Sequence, residues 1–175
     1  MGAYASGQVA KYVGIDPLKQ NILAHEELSK FIQTHANLRG KPFETLFING
    51  CAEDELGKID ESFDIVLTCP PYFDKEKYSG SHSQCYIKHN AYDEWVSQWL
   101  YPVLSSARKK LNNGGVMIIF MSDYAGHPAG KDCEQIMSNI FGHAATVGRF
   151  VLPSLEYLRK PQFRKLETAW IAYKT

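Results

Sequence analysis

The stretch Phe63-Asp64-Ile65-Val66-Leu67-Thr68-Cys69-Pro70-Pro71-Tyr72 decides the fold. Its first six residues, FDIVLT, are nearly continuous in apolar side chains. That pattern predicts a short strand buried on both faces of a parallel sheet. Two prolines cannot continue a central strand, so the chain must leave the sheet at Cys69. In open α/β sheets, ligands sit just beyond the carboxyl ends of the strands.

The neighbouring segments read the same way. KYVGID (Lys11 to Asp16) predicts a short strand ending in an acid, and Pro17 suits the first turn of a following helix. Leu18, Ile22, Leu28, Phe31, Ile32 and Leu38 recur at mostly helical spacings, and Arg39-Gly40-Lys41-Pro42 supplies the stop. Phe43 to Asn49 predicts a second strand closed by Gly50, with a short helix around Glu53, Asp54 and Glu55. The polar segment from Phe73 to Asn90 predicts a loop or lid. A long helix follows, capped by Asn90 or Asp93 and ending near Leu111. It carries Trp95, Val96, Trp99, Leu100, Val103, Leu104, Ala107 and Leu111 on one stripe and a kink at Pro102. Asn112-Asn113-Gly114-Gly115 stops it. Val116 to Met121 is a fourth strand, Lys131 to Phe141 a helix, and Ala144 to Leu152 and Thr168 to Tyr173 two closing strands. Strand and helix alternate through the first four strands. The fold class is therefore α/β: a mostly parallel, doubly wound sheet with helices on both faces. Asp16, Cys51 and Cys69 to Tyr72 all fall at strand carboxyl ends and are expected to converge on one crevice.

Composition excludes several alternatives. The 175 residues are 45% hydrophobic and 22% charged, which describes one globular domain over 1–175 and neither a disordered chain nor a coiled coil. Lys and Arg number 19, and Asp and Glu also 19, so any nucleic-acid binding must use a local patch. No apolar run reaches a membrane span, and Met1 to Ala10 lack the features of a signal peptide, so a cytoplasmic chain without a membrane partner is expected. The four cysteines, at 51, 69, 85 and 133, are widely spaced, and a disulfide framework is not expected. His82, Cys85 and His89 form a metal-like spacing without a fourth ligand, so no metal is expected.

Candidate site residues follow from these positions. The Asp16 carboxylate can accept two hydrogen bonds from a ribose diol, or it can cap the helix that starts at Pro17. The double proline makes a stiff turn without N–H groups and leaves the Pro70 carbonyl as a fixed acceptor. Tyr72 offers a ring on which a base can stack, worth about 1–3 kcal/mol, or simply packs in a buried turn. The combination suits capture of a flipped nucleobase with its exocyclic amine held against fixed acceptors.

With these residues in view, FDIVLTCPPYFD resembles the signature of the amino-group DNA methyltransferases, in which Asp, Asn or Ser precedes Pro-Pro and an aromatic. The TSPPY form is common among enzymes that methylate an exocyclic amine, cytosine N4 especially. YVGIDP is similar to the strand with the ribose acid, and INGCAED to the strand with the adenine contact. LNNGGVMIIF is similar to the family's fifth strand. The resemblance covers nearly the whole chain and implies a class I methyltransferase, Rossmann-like, with an antiparallel C-terminal strand. It implies S-adenosylmethionine as cofactor, with Asp16 on its ribose and Cys51 and Ala52 along its adenine. Cys69, Pro70, Pro71 and Tyr72 become the catalytic motif, with Cys69 standing where the family has Ser.

The reaction it implies is direct displacement on N4 of cytosine or N6 of adenine. Two fixed acceptors localise the amine lone pair, and orientation and preorganised electrostatics supply the rate. No covalent intermediate is needed. The Pro-Cys order of C5 cytosine methylation is reversed here, and no base is evident to activate a Cys69 thiolate. DNA is the implied partner, in a bacterial or phage restriction–modification setting. Lys75, Lys77, Arg159, Lys160, Arg164 and Lys165 are the candidate nucleic-acid contacts, although such charge runs are also ordinary solvated surface. No separate target-recognition domain is expected.

The resemblance departs at three points. Cysteine is a weaker acceptor than Ser, Asn or Asp. The Asp expected beside Cys51 is displaced or absent. The family's first strand and glycine-rich loop should precede Lys11, where only MGAYASGQVA stands, so a sheet position is expected to be empty and its neighbours to have unpaired edges. The rival readings are a non-catalytic or split-enzyme remnant that binds nucleic acid, a homo-oligomer partner or a complementing N-terminal chain, and the same chemistry on RNA or a protein amide.

Overall fold

The computed structural model describes residues 3, 6–35, 44–78, 80, 82, 84–142, 148–153 and 166–175. The chain divides into two compact units, Met1–Lys58 and Ile59–Thr175.

The first unit holds β1 (Lys11–Asp16), α1 (Lys19–His35), β2 (Glu44–Asn49) and the short α2 (Ala52–Glu55). β1 and β2 pair in parallel from Lys11↔Glu44 to Asp16↔Asn49, as a parallel unit with a crossover helix requires. Ile22, Ser29 and Ile32 of α1 are buried, and the Ser29 hydroxyl lies 3.1 Å from that of Thr45 on β2. Leu28 and Phe31, expected on the same apolar stripe, are exposed instead. A helix turns about 100° per residue, so positions 28 and 31 lie well off the 22–29–32 line. Residues 36–43, which include the expected stop and Phe43, lie outside the described residues.

The second unit holds β3 (Phe63–Thr68), α3 (Cys85–Lys88), α4 (Tyr92–Trp95), α5 (Tyr101–Lys109), β4 (Leu111–Phe120), α6 (Ala129–Phe141), β5 (Gly148–Pro153) and β6 (Leu166–Tyr173). The sheet order is β3-β4-β6-β5. β3 and β4 are parallel, and β6 runs antiparallel to both β4 and β5. This is the expected α/β arrangement with its antiparallel C-terminal strand. Residues 143–147 and 154–165, which include Arg159, Lys160, Arg164 and Lys165, lie outside the described residues.

The core of this unit lies between the sheet and helices α4 to α6. Trp95, Leu100, Leu104, Met117, Ile119, Met121, Cys133 and Met137 are all fully buried. The expected kink at Pro102 takes another form. A π-helical turn, Val96–Leu100, joins α4 to α5 just before Pro102. Pro102 stands in the first turn of α5, where its missing N–H costs little.

Two strand predictions are corrected. The segment Asn112 to Gly115 ends no helix; it lies inside β4, where pairing with β3 skips from Phe63↔Leu111 to Ile65↔Val116. Gly114 has φ +79, and a Cβ on Gly115 would meet backbone oxygens of Asn112 and Asp64 at 2.9 and 3.1 Å. The bulge therefore needs both glycines, one for its conformation and one for its close approach. β3 is not buried on both faces, because Ile65 and Leu67 are 57% and 63% exposed. Among the described residues β3 pairs only with β4, and β1 only with β2.

Candidate active site

At the carboxyl edge of the β1–β2 sheet, Asp16 accepts from the Leu18 backbone N–H at 2.7 Å through Oδ1. Its Oδ2 accepts from Asn21 Nδ2 at 3.0 Å. The helix-capping alternative is thus realised, with Pro17 at the start of the helix. Capping does not exhaust the group, since an ionised carboxylate offers about four acceptor positions and two are taken. Asp16 remains half-buried and able to receive a diol. Asn49, at the end of β2, donates to the carbonyls of Asp16 and Pro17 at 3.1 Å each, which fixes the turn.

Cys51 precedes α2 and accepts the backbone N–H groups of Asp54 and Glu55 through its carbonyl, both at 3.0 Å. The ligand atoms of Cys51, Glu53 and Asp54 lie within 4.8 Å of one another. An acid does therefore stand beside Cys51, in the displaced form of the expectation. It comes two and three residues later, brought back by the helical turn. The carboxylates of Asp16, Glu53 and Asp54 can accept hydrogen bonds of the kind an adenine amine or a ribose diol offers.

At the carboxyl edge of β3, Cys69 is exposed while Pro70, Tyr72 and Phe73 are buried. Among the described residues, which include all four cysteines, there is no disulfide. Tyr72 is only 8% exposed. Its hydroxyl accepts the Ser122 backbone N–H at 2.9 Å, and the Ser122 hydroxyl accepts the Thr168 backbone N–H at 2.9 Å. The motif is thereby tied to the ends of β4 and β6. The Tyr124 ring meets Tyr72 edge-on at 5.3 Å, and Lys75 Nζ stands 4.2 Å from the Tyr72 centroid.

Phe73 enters a second aromatic group. It meets Tyr92 and His127 edge-on at 5.9 and 5.8 Å, while Tyr92 and His127 stack at 4.3 Å. The Tyr92 hydroxyl donates to Asp132 Oδ2 at 2.6 Å. Burial, reinforced by that hydrogen bond, pushes the Tyr92 phenol well above its usual range, and burial pushes Tyr124 up to about 12. Both rings are therefore neutral at physiological pH. Tyr124 and His127 are held by a two-residue turn with reciprocal backbone bonds of 3.1 and 2.7 Å. Its central residues, Ala125 and Gly126, have φ 45 and 86. That turn form favours Asn or Gly at the first position, so Ala125 carries about 1–2 kcal/mol of strain.

Ser122, Asp123, Tyr124 and His127 escaped the sequence reading although a signal existed. SDYAGHP directly follows the fourth strand, at the sheet end where ligands bind. The Tyr92–Asp132 pair has no such signal, since forty residues separate its members. Of the candidate cations, Lys75 and Lys77 are exposed, with Lys77 Nζ 5.9 Å from the Tyr86 centroid. His82 is exposed and Cys85 buried. Among the described residues no helix is long and apolar enough to cross a membrane.

Solved structures similar to this fold belong to methyl-group chemistry in several cases. A protein from Streptococcus mutans described as a methyltransferase, in complex with S-adenosylhomocysteine, matches at 13% identity and TM-score 0.56, over 94% of this chain and 76% of its own. A protein from Clostridium thermocellum described as an rRNA methylase matches at 17% identity and TM-score 0.54, over 93% and 74%. Precorrin 8W decarboxylase from Methanobacterium thermoautotrophicum matches at 14% identity and TM-score 0.53, over 99% and 75%. At such identities the likeness is one of fold, the class I Rossmann-like fold of S-adenosylmethionine-dependent methyltransferases. No curated protein sequence matches the chain. A family model described as DNA methylase matches residues 63–158, which contain the Cys69–Tyr72 motif, β4 and the aromatic turn after it. With more than half of its length so matched, the chain belongs to the N6/N4 DNA methylase family, whose methyl donor is S-adenosylmethionine.

Proposed function

We propose that the chain transfers a methyl group from S-adenosylmethionine to an exocyclic amine of a DNA base, N4 of cytosine or N6 of adenine. The observation that supports this most is the Cys69-Pro70-Pro71-Tyr72 turn at the carboxyl end of β3, inside the family match. S-adenosylmethionine supplies an electrophilic sulfonium methyl group. Asp16 accepts from the donor's ribose, with Cys51 and Ala52 along its adenine and Glu53 or Asp54 as acceptor for the adenine amine. Cys69 and the Pro70 carbonyl orient the acceptor amine and draw its lone pair out of conjugation. Pro71 stiffens the turn, so the acceptors need no reorganisation as the amine attacks. Tyr72 gives the base a ring to lie against. DNA is the proposed partner, gripped through Lys75 and Lys77 and the basic residues Arg159, Lys160, Arg164 and Lys165.

A second reading is a split enzyme that needs a complementing chain or another copy of itself. The single pairings of β1 and β3 among the described residues and the exposed Ile65 and Leu67 favour it, since an open strand edge can accept another strand.

The direct test supplies methyl-labelled S-adenosylmethionine with unmethylated DNA, RNA or protein, digests each product and identifies the labelled unit by mass spectrometry. Label in N4-methylcytosine or N6-methyladenine of DNA is expected. Label only in RNA or protein would refute the DNA assignment. Label in none, restored by a chain that adds a strand, would favour the split enzyme.

A further inference from the structure

Tyr72 presents a conflict. Its position suits a base-stacking ring, yet it is 8% exposed, too little for a base to lie on. The local geometry explains the cover. The Lys75 backbone N–H donates to the Tyr72 carbonyl at 3.0 Å, closing a tight turn over Tyr72-Phe73-Asp74-Lys75. Such a turn returns its fourth residue to its first. Lys75 Nζ thus stands 4.2 Å from the Tyr72 centroid and 5.8 Å from that of Tyr124. Lys75 is itself exposed, so the group over the ring has solvent to move into. The opposite demands on the ring are met if this cover is removable.

We propose that Lys75 is a gating residue: its side chain caps the Tyr72 ring in the free protein and leaves it for a nucleotide phosphate when the base takes the ring. The inference rests on the nucleic-acid reading above and adds a residue role to it. The energetics permit the exchange. A cation over a tyrosine face at an exposed site is held weakly, and a base stacked on an aromatic ring is held more strongly, so the base wins the face. The displaced ammonium is a strongly hydrated point charge on a flexible stem, suited to a phosphate. Among the described residues no carboxylate lies within ion-pair distance to hold it back. The Tyr72 hydroxyl accepts the Ser122 backbone N–H, a bond that does not involve Lys75 and so anchors the ring while the lysine moves.

Two measurements on the full chain test this. Hydroxyl-radical footprinting of the free protein reads the cover without any substrate. Lys75→Ala should raise labelling of Tyr72 severalfold and leave the fully buried Trp95 unchanged. Unchanged Tyr72 labelling would overturn the gate. The second measurement titrates a single-stranded oligodeoxynucleotide across a salt series. Lys75→Met keeps the stem and removes the charge, so it should flatten the dependence of log affinity on log salt by about 0.7, one phosphate contact on a single strand. An unaltered slope would overturn the phosphate exchange. A wild-type chain that binds no oligodeoxynucleotide would refute the functional reading and the exchange together, while footprinting would still report whether the cover exists.

Discussion

The carboxyl edges of the two sheets are built differently. At the β1–β2 edge the functional candidates make short-range bonds. Asp16 accepts from Leu18 and Asn21, and the Cys51 carbonyl accepts from Asp54 and Glu55 of the helix that follows it. At the β3–β4 edge, partners come from far along the chain. Tyr72 is bonded by Ser122, Ser122 by Thr168, and Tyr92 reaches Asp132. The first edge is half-exposed, and its side-chain bonds are local. The second is braced by bonds between residues far apart in the sequence. The contrast predicts that substitutions at the second edge disturb folding, and those at the first disturb binding alone.

The largest effect is expected from Tyr72→Ala, which empties a buried aromatic site. It should cost about 3–5 kcal/mol in denaturant unfolding. A loss below about 1 kcal/mol would mean the edge is not braced through this ring. Tyr72→Phe isolates the hydroxyl. It strands the Ser122 N–H and should cost about 1–3 kcal/mol, with most of the ring packing kept.

Asp16 separates the two edges most cleanly. Asp16→Asn keeps a good cap, so stability should change by only a few tenths of a kcal/mol. Affinity for S-adenosylhomocysteine should still fall by about tenfold, the loss of about 1.4 kcal/mol expected when a charged acceptor becomes neutral. Equal losses of stability and affinity would make Asp16 a cap and nothing more.

Alkali should act on the braced edge. The Tyr92 phenol is raised by burial, so the folded state keeps its proton where the unfolded chain, at its ordinary value of 10.0, loses it. The folded state then binds more protons, and stability falls as pH rises above about 10. Tyr92→Phe should lessen that fall, measured as unfolding free energy between pH 9 and about 11. A fall of the same size would place the alkaline sensitivity elsewhere. The smallest effect is expected at exposed Cys69. Cys69→Ser restores a better acceptor and should preserve or raise methyl transfer, whereas complete loss would assign the thiol a chemical role.

The difference between the edges also governs what the sequence made legible. The strands Lys11–Asp16 and Phe63–Thr68 were readable because apolar runs end at an acid in one case and at two prolines in the other. The Cys69–Tyr72 motif was readable because prolines at a strand end are rare and have few uses. The brace behind it was not, since hydrogen bonds from residue 72 to 122 and from 122 to 168 leave no local pattern. The Asn112–Gly115 bulge was misread because two glycines stop a helix or bend a strand equally well. The exposure of Ile65 and Leu67 was illegible for a related reason. An apolar strand carries the same sequence whether or not something covers it.

Calorimetric titration of the chain with S-adenosylhomocysteine tests the central claim most directly. The account predicts saturable micromolar binding that Asp16→Asn weakens and Tyr72→Phe leaves nearly intact. Absence of binding to a chain that is folded by circular dichroism would contradict it.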